Sequence, residues 1–162
     1  MLTKIKDILD KILESLTALF MALLVVVVTW QVITRFILNH PSSWTEELAI
    51  YLMIWVGLLG SAVAIHRRAH LGIDYFVGKL QPKLRLYTEM VVDILIILFA
   101  VSVLLYGGLK LVALTFLNDQ TSPALGFKVG YVYLCVPIAG FFIAMYGLEF
   151  LLQTLSTLKS IK

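Results

Sequence analysis

Hydrophobic residues along this chain form four runs long enough to cross a bilayer, and short segments between them carry most of the charge. The second run, from Leu48 to Ile65, contains no charged residue and lies between Glu46-Glu47 and His66-Arg67. At about 1.5 Å per residue, a helix of this length spans about 27 Å, close to the hydrocarbon thickness of a bilayer. The acids and the bases that flank it are therefore expected at opposite membrane surfaces.

This pattern predicts an all-α integral membrane protein with a single membrane domain, residues 1–162. Apolar residues make up 60% of the chain and the mean hydropathy is +0.96, too hydrophobic for a water-soluble core of this size. Two shorter amphipathic segments are predicted to be interfacial helices along the membrane surface, at about 3–13 and 71–81. The four transmembrane helices are predicted at about 14–38, 45–65, 88–110 and 128–152.

The Lys and Arg residues are distributed unevenly between the two sides of the predicted membrane. Ten precede the first span, connect the second to the third or follow the fourth, whereas three (Arg35, Lys110 and Lys128) lie on the other side. The positive-inside rule therefore predicts that both termini are cytoplasmic, N-in and C-in. Anionic lipid headgroups account for the net charge of +3, so membrane lipids are an expected partner and nucleic acid is not.

The residues that carry catalytic or metal chemistry are sparse. We find no phosphate-binding loop, no HExxH pair and no plausible Ser/His/Asp arrangement. Cys135 is the only cysteine and lies inside the fourth span, which excludes a disulfide and a cysteine-based metal site. His66 and His70 stand four apart, but two ligands make an incomplete metal site. We expect no enzyme activity, no cofactor and no metal, with a redox subunit that uses these histidines as a remaining alternative.

Asp93, in the third hydrophobic run, is the acid with the strongest claim to an ion pathway. A self-contained small transporter or channel would use Asp93 as its coupling acid. The other spans have no charged residue at depth, since Arg35 and Glu149 lie near helix ends, where side chains reach water. This alternative stays open at the level of sequence.

The second span has two dissimilar faces when its residues are placed at about 100° per residue. The smooth face lies in line with Glu46, and its small residues permit close approach of another helix. Packing within the chain is the favoured interpretation of that face, whereas lipid, another helix of the chain or a larger partner would cover the bulky face. The smooth face comprises Gly57, Gly60, Ser61 and Ala64, and the bulky face comprises Trp44, Leu48, Tyr51, Trp55, Leu59 and Ala62.

The start of the second span supports two interpretations of its acids. Ser43-Trp44-Thr45-Glu46 has the Ser-x-x-Glu pattern of a capping box, and the helix dipole favours acids at this end. The alternative is a polar contact between subunits that also involves Arg35, which is expected near the same membrane surface. A capped helix end can also present a carboxylate, so the two interpretations are compatible.

A family resemblance is carried by residues of the first two spans and the segment that follows them. Its pattern is Arg35, Trp44-x-Glu46-Glu47, Tyr51, Trp55, Gly60, Ala64, His66-Arg67, His70 and Asp74. Roughly residues 30–75 thereby resemble the DctQ-type small membrane subunit of tripartite ATP-independent periplasmic (TRAP) transporters, most of all the sialic-acid branch. The chain length and the four predicted spans extend the resemblance without adding motifs.

The resemblance implies a three-part secondary transporter in the bacterial inner membrane. A soluble periplasmic binding protein would capture an organic acid of the C4-dicarboxylate or sialic-acid class. A large membrane subunit would carry the substrate and sodium sites in an elevator-type mechanism, and the small subunit would enlarge its stationary scaffold. Partners are therefore expected to be the large subunit, the binding protein and lipid.

The same resemblance implies roles for individual residues. Arg35, Trp44, Glu46 and Glu47 would organise subunits or helix ends on the periplasmic side, and the two faces of the second span would offer further subunit contacts. The cytoplasmic edge would be shaped by His66, Arg67, His70 and Asp74. Candidate contacts with the binding protein lie in the predicted periplasmic connections, at His40, Ser42, Asn118, Asp119 and Gln120.

Overall fold

The computed structural model describes the backbone of residues 2–67 and 82–160, and side chains within 6–67 and 84–159. Four stretches of these described residues are helical, long and apolar enough to cross a membrane, which confirms the predicted all-α membrane fold. The third is continued by a π-helical segment, and the fourth begins with one short helical turn. The elements are α1 (Leu2–Phe36), α2 (Ser43–His66), α3 (Pro82–Phe99), the π-helical segment (Ala100–Gly107), α4 (Gly108–Leu117), α5 (Gly130–Tyr133) and α6 (Cys135–Ser160).

The first helix is longer than a single transmembrane span requires. The predicted interfacial segment 3–13 and the predicted span 14–38 form one uninterrupted helix that ends at Phe36. No glycine or proline occurs between Leu2 and Phe36, so nothing in the local sequence breaks the helix between the two segments. The other predicted interfacial helix, 71–81, lies outside the described residues.

Helix α6 is the centre of the arrangement. It packs against α2 on one side and against α3 and the π-helical segment on the other, while α1 packs along α2. The residues of the buried core come from α1, α2, the π-helical segment and α6, and they combine small side chains with a few large ones. Its members are Leu13, Leu59, Ala62, Ala100, Leu104, Ala139, Ile143 and Tyr146.

The third and fourth spans approach each other closely at Gly108 and Gly140. A Cβ added to Gly140 would lie 2.7 Å from the Leu104 Cβ and 3.0 Å from the backbone nitrogen of Leu105, both in the π-helical segment. At Gly108, an added Cβ would lie 3.1 Å from the backbone nitrogen of Pro137. Only glycine accommodates backbones at this separation, because nothing projects from its Cα toward the neighbour.

Pro137 marks the place where the fourth span is interrupted. Proline has no amide hydrogen, so Pro137 cannot donate to the carbonyl of Tyr133 four residues earlier. The structure divides the span at Leu134, between α5 and α6, three residues before the proline.

The two ends of the bundle are distinguished by the segments they contain. At one end, called the termini end, the first turns of α1 meet the end of α2 and the second half of α6 through Lys6, His66 and Glu149. The opposite end is called the loop end. It is formed by the connections 37–42 and 118–129.

Candidate functional site

Three helices meet at the termini end around the side chain of Tyr146. This tyrosine is fully buried, and its hydroxyl donates a hydrogen bond to the Asp10 carboxylate of α1. His66 at the end of α2 places its Nε2 3.7 Å from Asp10 Oδ2, and its ring centre lies 4.7 Å from that of Tyr146. The Asp10 carboxylate thus joins α1 to α6 and lies beside the end of α2.

Two ion pairs flank this buried contact. Lys6 pairs with Glu149 of α6, and Glu14 accepts from Arg67 at the end of α2, with an Nη2–Oε1 distance of 3.0 Å. Asp10 lies between them on α1, so three residues spaced four apart each contact another helix. We call Lys6, Asp10, Glu14, His66, Arg67, Tyr146 and Glu149 the termini network.

The termini network contains residues for which the sequence pattern predicted no role at this edge. The sequence pattern indicated His66 and Arg67, whereas Lys6 and Asp10 fall in the segment 3–13, which was predicted only as an interfacial helix. The four-residue spacing of Lys6, Asp10 and Glu14 was the available signal, because it places them on one stripe of α1. His70 and Asp74, predicted at the same edge, lie outside the described residues.

At the loop end, Glu47 fastens α2 to the connection 118–129. Its carboxylate accepts hydrogen bonds from the backbone N–H of Ala124 and from the hydroxyl of Tyr51, both at 2.8 Å. The Tyr51 ring in turn packs edge-on against Phe127, with ring centres 5.6 Å apart. Glu47 and Tyr51 therefore serve contacts within this chain.

Replacing Glu47 by alanine is expected to speed amide hydrogen exchange at Ala124 and its neighbours, because the Ala124 N–H loses the carboxylate of α2 that accepts its hydrogen bond. Glu46→Ala is the matched control, since the adjacent carboxylate makes no such bond. Mass-spectrometric exchange of peptides from 118–129 in the isolated subunit provides the measurement. Equal exchange in both variants would show that Glu47 does not hold this loop in solution.

The predicted capping box is wrong. Helix α2 begins at Ser43 with Ser42 as its N-cap, and no side chain makes a capping hydrogen bond. Ser43 therefore lies inside the first turn, one residue too late for its hydroxyl to cap the helix. The Ser42 hydroxyl is buried without a hydrogen-bond partner among the described residues, whereas Thr45 donates to the Ser42 carbonyl at 2.8 Å.

Glu46 makes none of the contacts that its neighbour Glu47 makes. Its side chain is exposed and has no hydrogen-bond or ion-pair partner among the residues that the structure describes. Arg35, in the last turn of α1, and Trp44 are exposed as well. The capping box thus gives no account of Glu46, which lies in the first turn of α2, where the helix dipole favours an acid, and its carboxylate remains available to a partner.

The favoured interpretation fails for the smooth face of α2, whereas for the bulky face the structure selects one of the alternatives, another helix of the chain. Helices of the same chain cover most of the bulky face, although Trp44 is exposed: Leu59 and Ala62 are fully buried, and Trp55 packs edge-on against Phe20 of α1 with ring centres 5.2 Å apart. Packing within the chain was predicted for the smooth face, and this is wrong for most of it. The exposed members are Gly57, Ser61 and Ala64, while Gly60 is half-buried beside the Thr17 methyl group of α1.

The candidate contacts with a binding protein divide by exposure. His40, Asn118, Asp119 and Gln120 are exposed, whereas Ser42 is half-buried. Asp119 pairs with Lys128 across the connection at 3.1 Å, an exposed pair of small energetic value. Four of the five predicted positions are thus open at the loop end.

These contacts define a class: a multi-pass membrane protein with four apolar helical stretches, in which polar side chains of the described residues join α1, α2 and α6 at the termini end and hold the connection 118–129 against α2 at the loop end. Residues 24–157 match the family model of the DctQ component of tripartite ATP-independent periplasmic transporters. The chain therefore belongs to that family of small permease subunits, which are not enzymes.

Individual relatives support the assignment of this chain to the DctQ family. The chain is 33% identical over 148 residues to the sialic acid TRAP transporter small permease protein SiaQ of Vibrio cholerae, covering 91% of this chain and 84% of the relative. It is 29% identical over 125 residues to the isethionate TRAP transporter permease protein DctMQ of Oleidesulfovibrio alaskensis, covering 74% of this chain and 20% of that protein. The sialic acid TRAP transporter permease protein SiaT of Haemophilus influenzae is 29% identical over 123 residues, covering 74% of this chain and 19% of the relative. In both larger relatives the similar region is thus about a fifth of one longer permease chain.

Proposed function

We propose that this chain is the small scaffold subunit of a sodium-driven TRAP transporter that takes up an organic acid of the sialic-acid or C4-dicarboxylate class. Its role is to stabilise a large membrane subunit that carries the substrate and the sodium ions. A periplasmic binding protein delivers the substrate. Both termini lie in the cytoplasm, and the complex resides in the bacterial inner membrane.

The termini network is the observation that carries a scaffold role. Its charged side chains bridge α1, α2 and α6, so they brace helices against each other. Glu47 does the same at the loop end by holding the connection 118–129. A rigid stationary part of a transporter requires such ties, whereas a moving part requires contacts that exchange.

The relatives support the proposed partner and the substrate class. In DctMQ and SiaT, the region similar to this chain lies within a permease about five times as long as that region. This agrees with a small subunit that works beside a large membrane subunit. SiaQ and SiaT are named for sialic acid, and a further relative from Vibrio cholerae, 26% identical over 83 residues, is named for C4-dicarboxylates.

Reconstituted uptake tests the proposal. Proteoliposomes that contain this chain and the large subunit, supplied with the binding protein and an inward sodium gradient, are expected to accumulate radiolabelled sialic acid or a C4-dicarboxylate. Leaving out this chain is expected to lower uptake to background, because the large subunit loses its brace. Full uptake without this chain, or uptake by this chain alone, would contradict the proposal.

A further inference from the structure

An exposed stripe runs along α2 from the loop end to the termini end. Its side chains recur every three or four residues and fall within about 80° of arc at about 100° per residue, so they form one narrow face. The six members are all exposed. They are Glu46, Ile50, Met53, Gly57, Ser61 and Ala64.

The stripe adjoins an apolar groove between α2 and α3. Leu58, Ser61 and Ile65 form one wall, residues of α3 such as Ile96 form the other, and Ile143 of α6 contributes to the floor. The groove has a volume of about 500 Å³. Because Ser61 belongs to both the groove and the stripe, the two make one continuous surface, which we call the α2 surface.

The chemistry of the α2 surface differs from that of a surface made only for lipid. The outer face of α1 exposes bulky aliphatic side chains such as Leu19, Val25 and Val26, as a lipid-facing helix does. The part of the α2 surface nearer the termini end instead presents Gly57, where an added Cβ would have nothing within 4 Å, followed along the stripe by Ser61 and Ala64, while Ile50 and Met53 occupy the part nearer the loop end. Small residues permit a second helix backbone to approach closely and to gain van der Waals contact.

The charge of Glu46 limits which partner could cover the α2 surface. This carboxylate lies on the stripe at the loop end and has no partner among the described residues. A helix seated on the stripe would cover Glu46, and burying a carboxylate is favourable only beside a cation or several hydrogen-bond donors. The occupant should therefore be apolar along its length and basic near the loop end.

We propose that the α2 surface receives a transmembrane helix of the large subunit, with small residues facing Gly57 and Ser61 and an Arg or Lys facing Glu46. This assignment rests on the proposed scaffold function. The longer permeases DctMQ and SiaT agree with such an occupant, because their similar region is joined to much more permease sequence.

Adding bulk to the stripe tests the assignment. Gly57→Leu places a side chain where this chain has open space, so the isolated subunit should fold. Co-purification with the large subunit is expected to fall about tenfold, which corresponds to about 1.4 kcal/mol of association free energy. Ala22→Leu, on the exposed outer face of α1, is the matched control and should co-purify at the wild-type level.

Photocrosslinking identifies the occupant directly. A benzophenone amino acid in place of Met53 is expected to crosslink to the large subunit, whereas the same group in place of Val26 should not. The two positions are matched, with 60% and 65% of their side chains exposed. Crosslinks from position 53 to a second copy of this chain, or to lipid alone, would overturn the assignment.

The experiment separates failure of the assignment from failure of the proposed function. If the wild-type chain does not co-purify with the large subunit, the scaffold proposal itself fails. If it does, and Gly57→Leu and Ala22→Leu co-purify equally well, the subunits associate through a different face. Charge reversal by Glu46→Lys should weaken association more than Glu46→Gln, and equal effects would contradict the basic residue in the occupant.

Discussion

Replacing Gly140 by alanine is expected to lower the free energy of unfolding of the isolated subunit by about 1–3 kcal/mol, the usual range for overpacking a well-packed core. The new Cβ would lie 2.7 Å from the Leu104 Cβ and 3.0 Å from the backbone nitrogen of Leu105. Backbone atoms of a helix cannot rotate out of the way as the end of a side chain can. The third and fourth spans must therefore separate, and the contacts beside Gly140 weaken with them.

Gly57→Ala provides the matched control for stability. Both glycines lie within helices, but an added Cβ at Gly57 has nothing within 4 Å in the isolated chain. Alanine is the better helix former by about 1 kcal/mol, so this variant should be as stable as the wild type or slightly more stable. Thermal unfolding in detergent, followed by circular dichroism, measures both variants. Equal unfolding temperatures for the two would mean that the spans are not packed backbone to backbone at Gly140.

Replacing Asp10 by alanine is expected to destabilise the isolated subunit by about 1–3 kcal/mol, the cost of leaving a buried polar group without its partner. The hydroxyl of Tyr146, a fully buried residue, would lose its acceptor, and His66 would lose the carboxylate beside it. Asp7→Ala is the control, because Asp7 is an exposed acid on the same helix. Its removal should leave the unfolding temperature unchanged.

A double-mutant cycle assigns this effect to the hydrogen bond. Tyr146→Phe removes only the hydroxyl, so it should be destabilising with Asp10 present and much less so in the Asp10→Ala background. Additive effects of the two substitutions would show that the carboxylate and the hydroxyl act independently. The hydrogen bond would then not hold α1 to α6.

These two regions determine different parts of the proposed scaffold. The glycine contact sets the separation of the third and fourth spans, and the termini network attaches α1 to the rest of the bundle. Helix α1 packs along α2 and exposes much of its remaining apolar surface, so the polar contacts of Lys6 and Asp10 add a second attachment, to α6. A loosened α1 would move beside the stripe of α2, which α1 borders through Thr17 and Gly60.

Much of the fold could be predicted because the solvent is lipid. Apolar runs of sufficient length must be helical in a bilayer, where every backbone polar group needs a partner within the segment. This argument places the four spans, and it needs no information about neighbours. The interruption near Pro137 follows in the same way, since the missing amide hydrogen is a local property of proline.

The candidate site was predicted only in part, because it depends on which helices are neighbours. Helical periodicity places Gly57, Ser61 and Ala64 on one face, but the same residues suit packing inside the chain or against a partner. Likewise, Glu46 and Glu47 are adjacent in sequence with the same chemistry. Only the position of the loop 118–129 makes Glu47 an internal tie and leaves Glu46 exposed.

The amino-acid sequence by itself determined that this protein is an all-α membrane protein with four spans and two dissimilar faces on its second span, since length, hydropathy and periodicity are local properties. The tertiary structure alone decided that α6 takes the central position and that Asp10 meets Tyr146. It also decided that the bulky face of α2 turns inward while most of its smooth face stays open. The physical reason is that helical periodicity fixes which residues of a helix share a face. The packing of the whole chain determines which other helix covers that face.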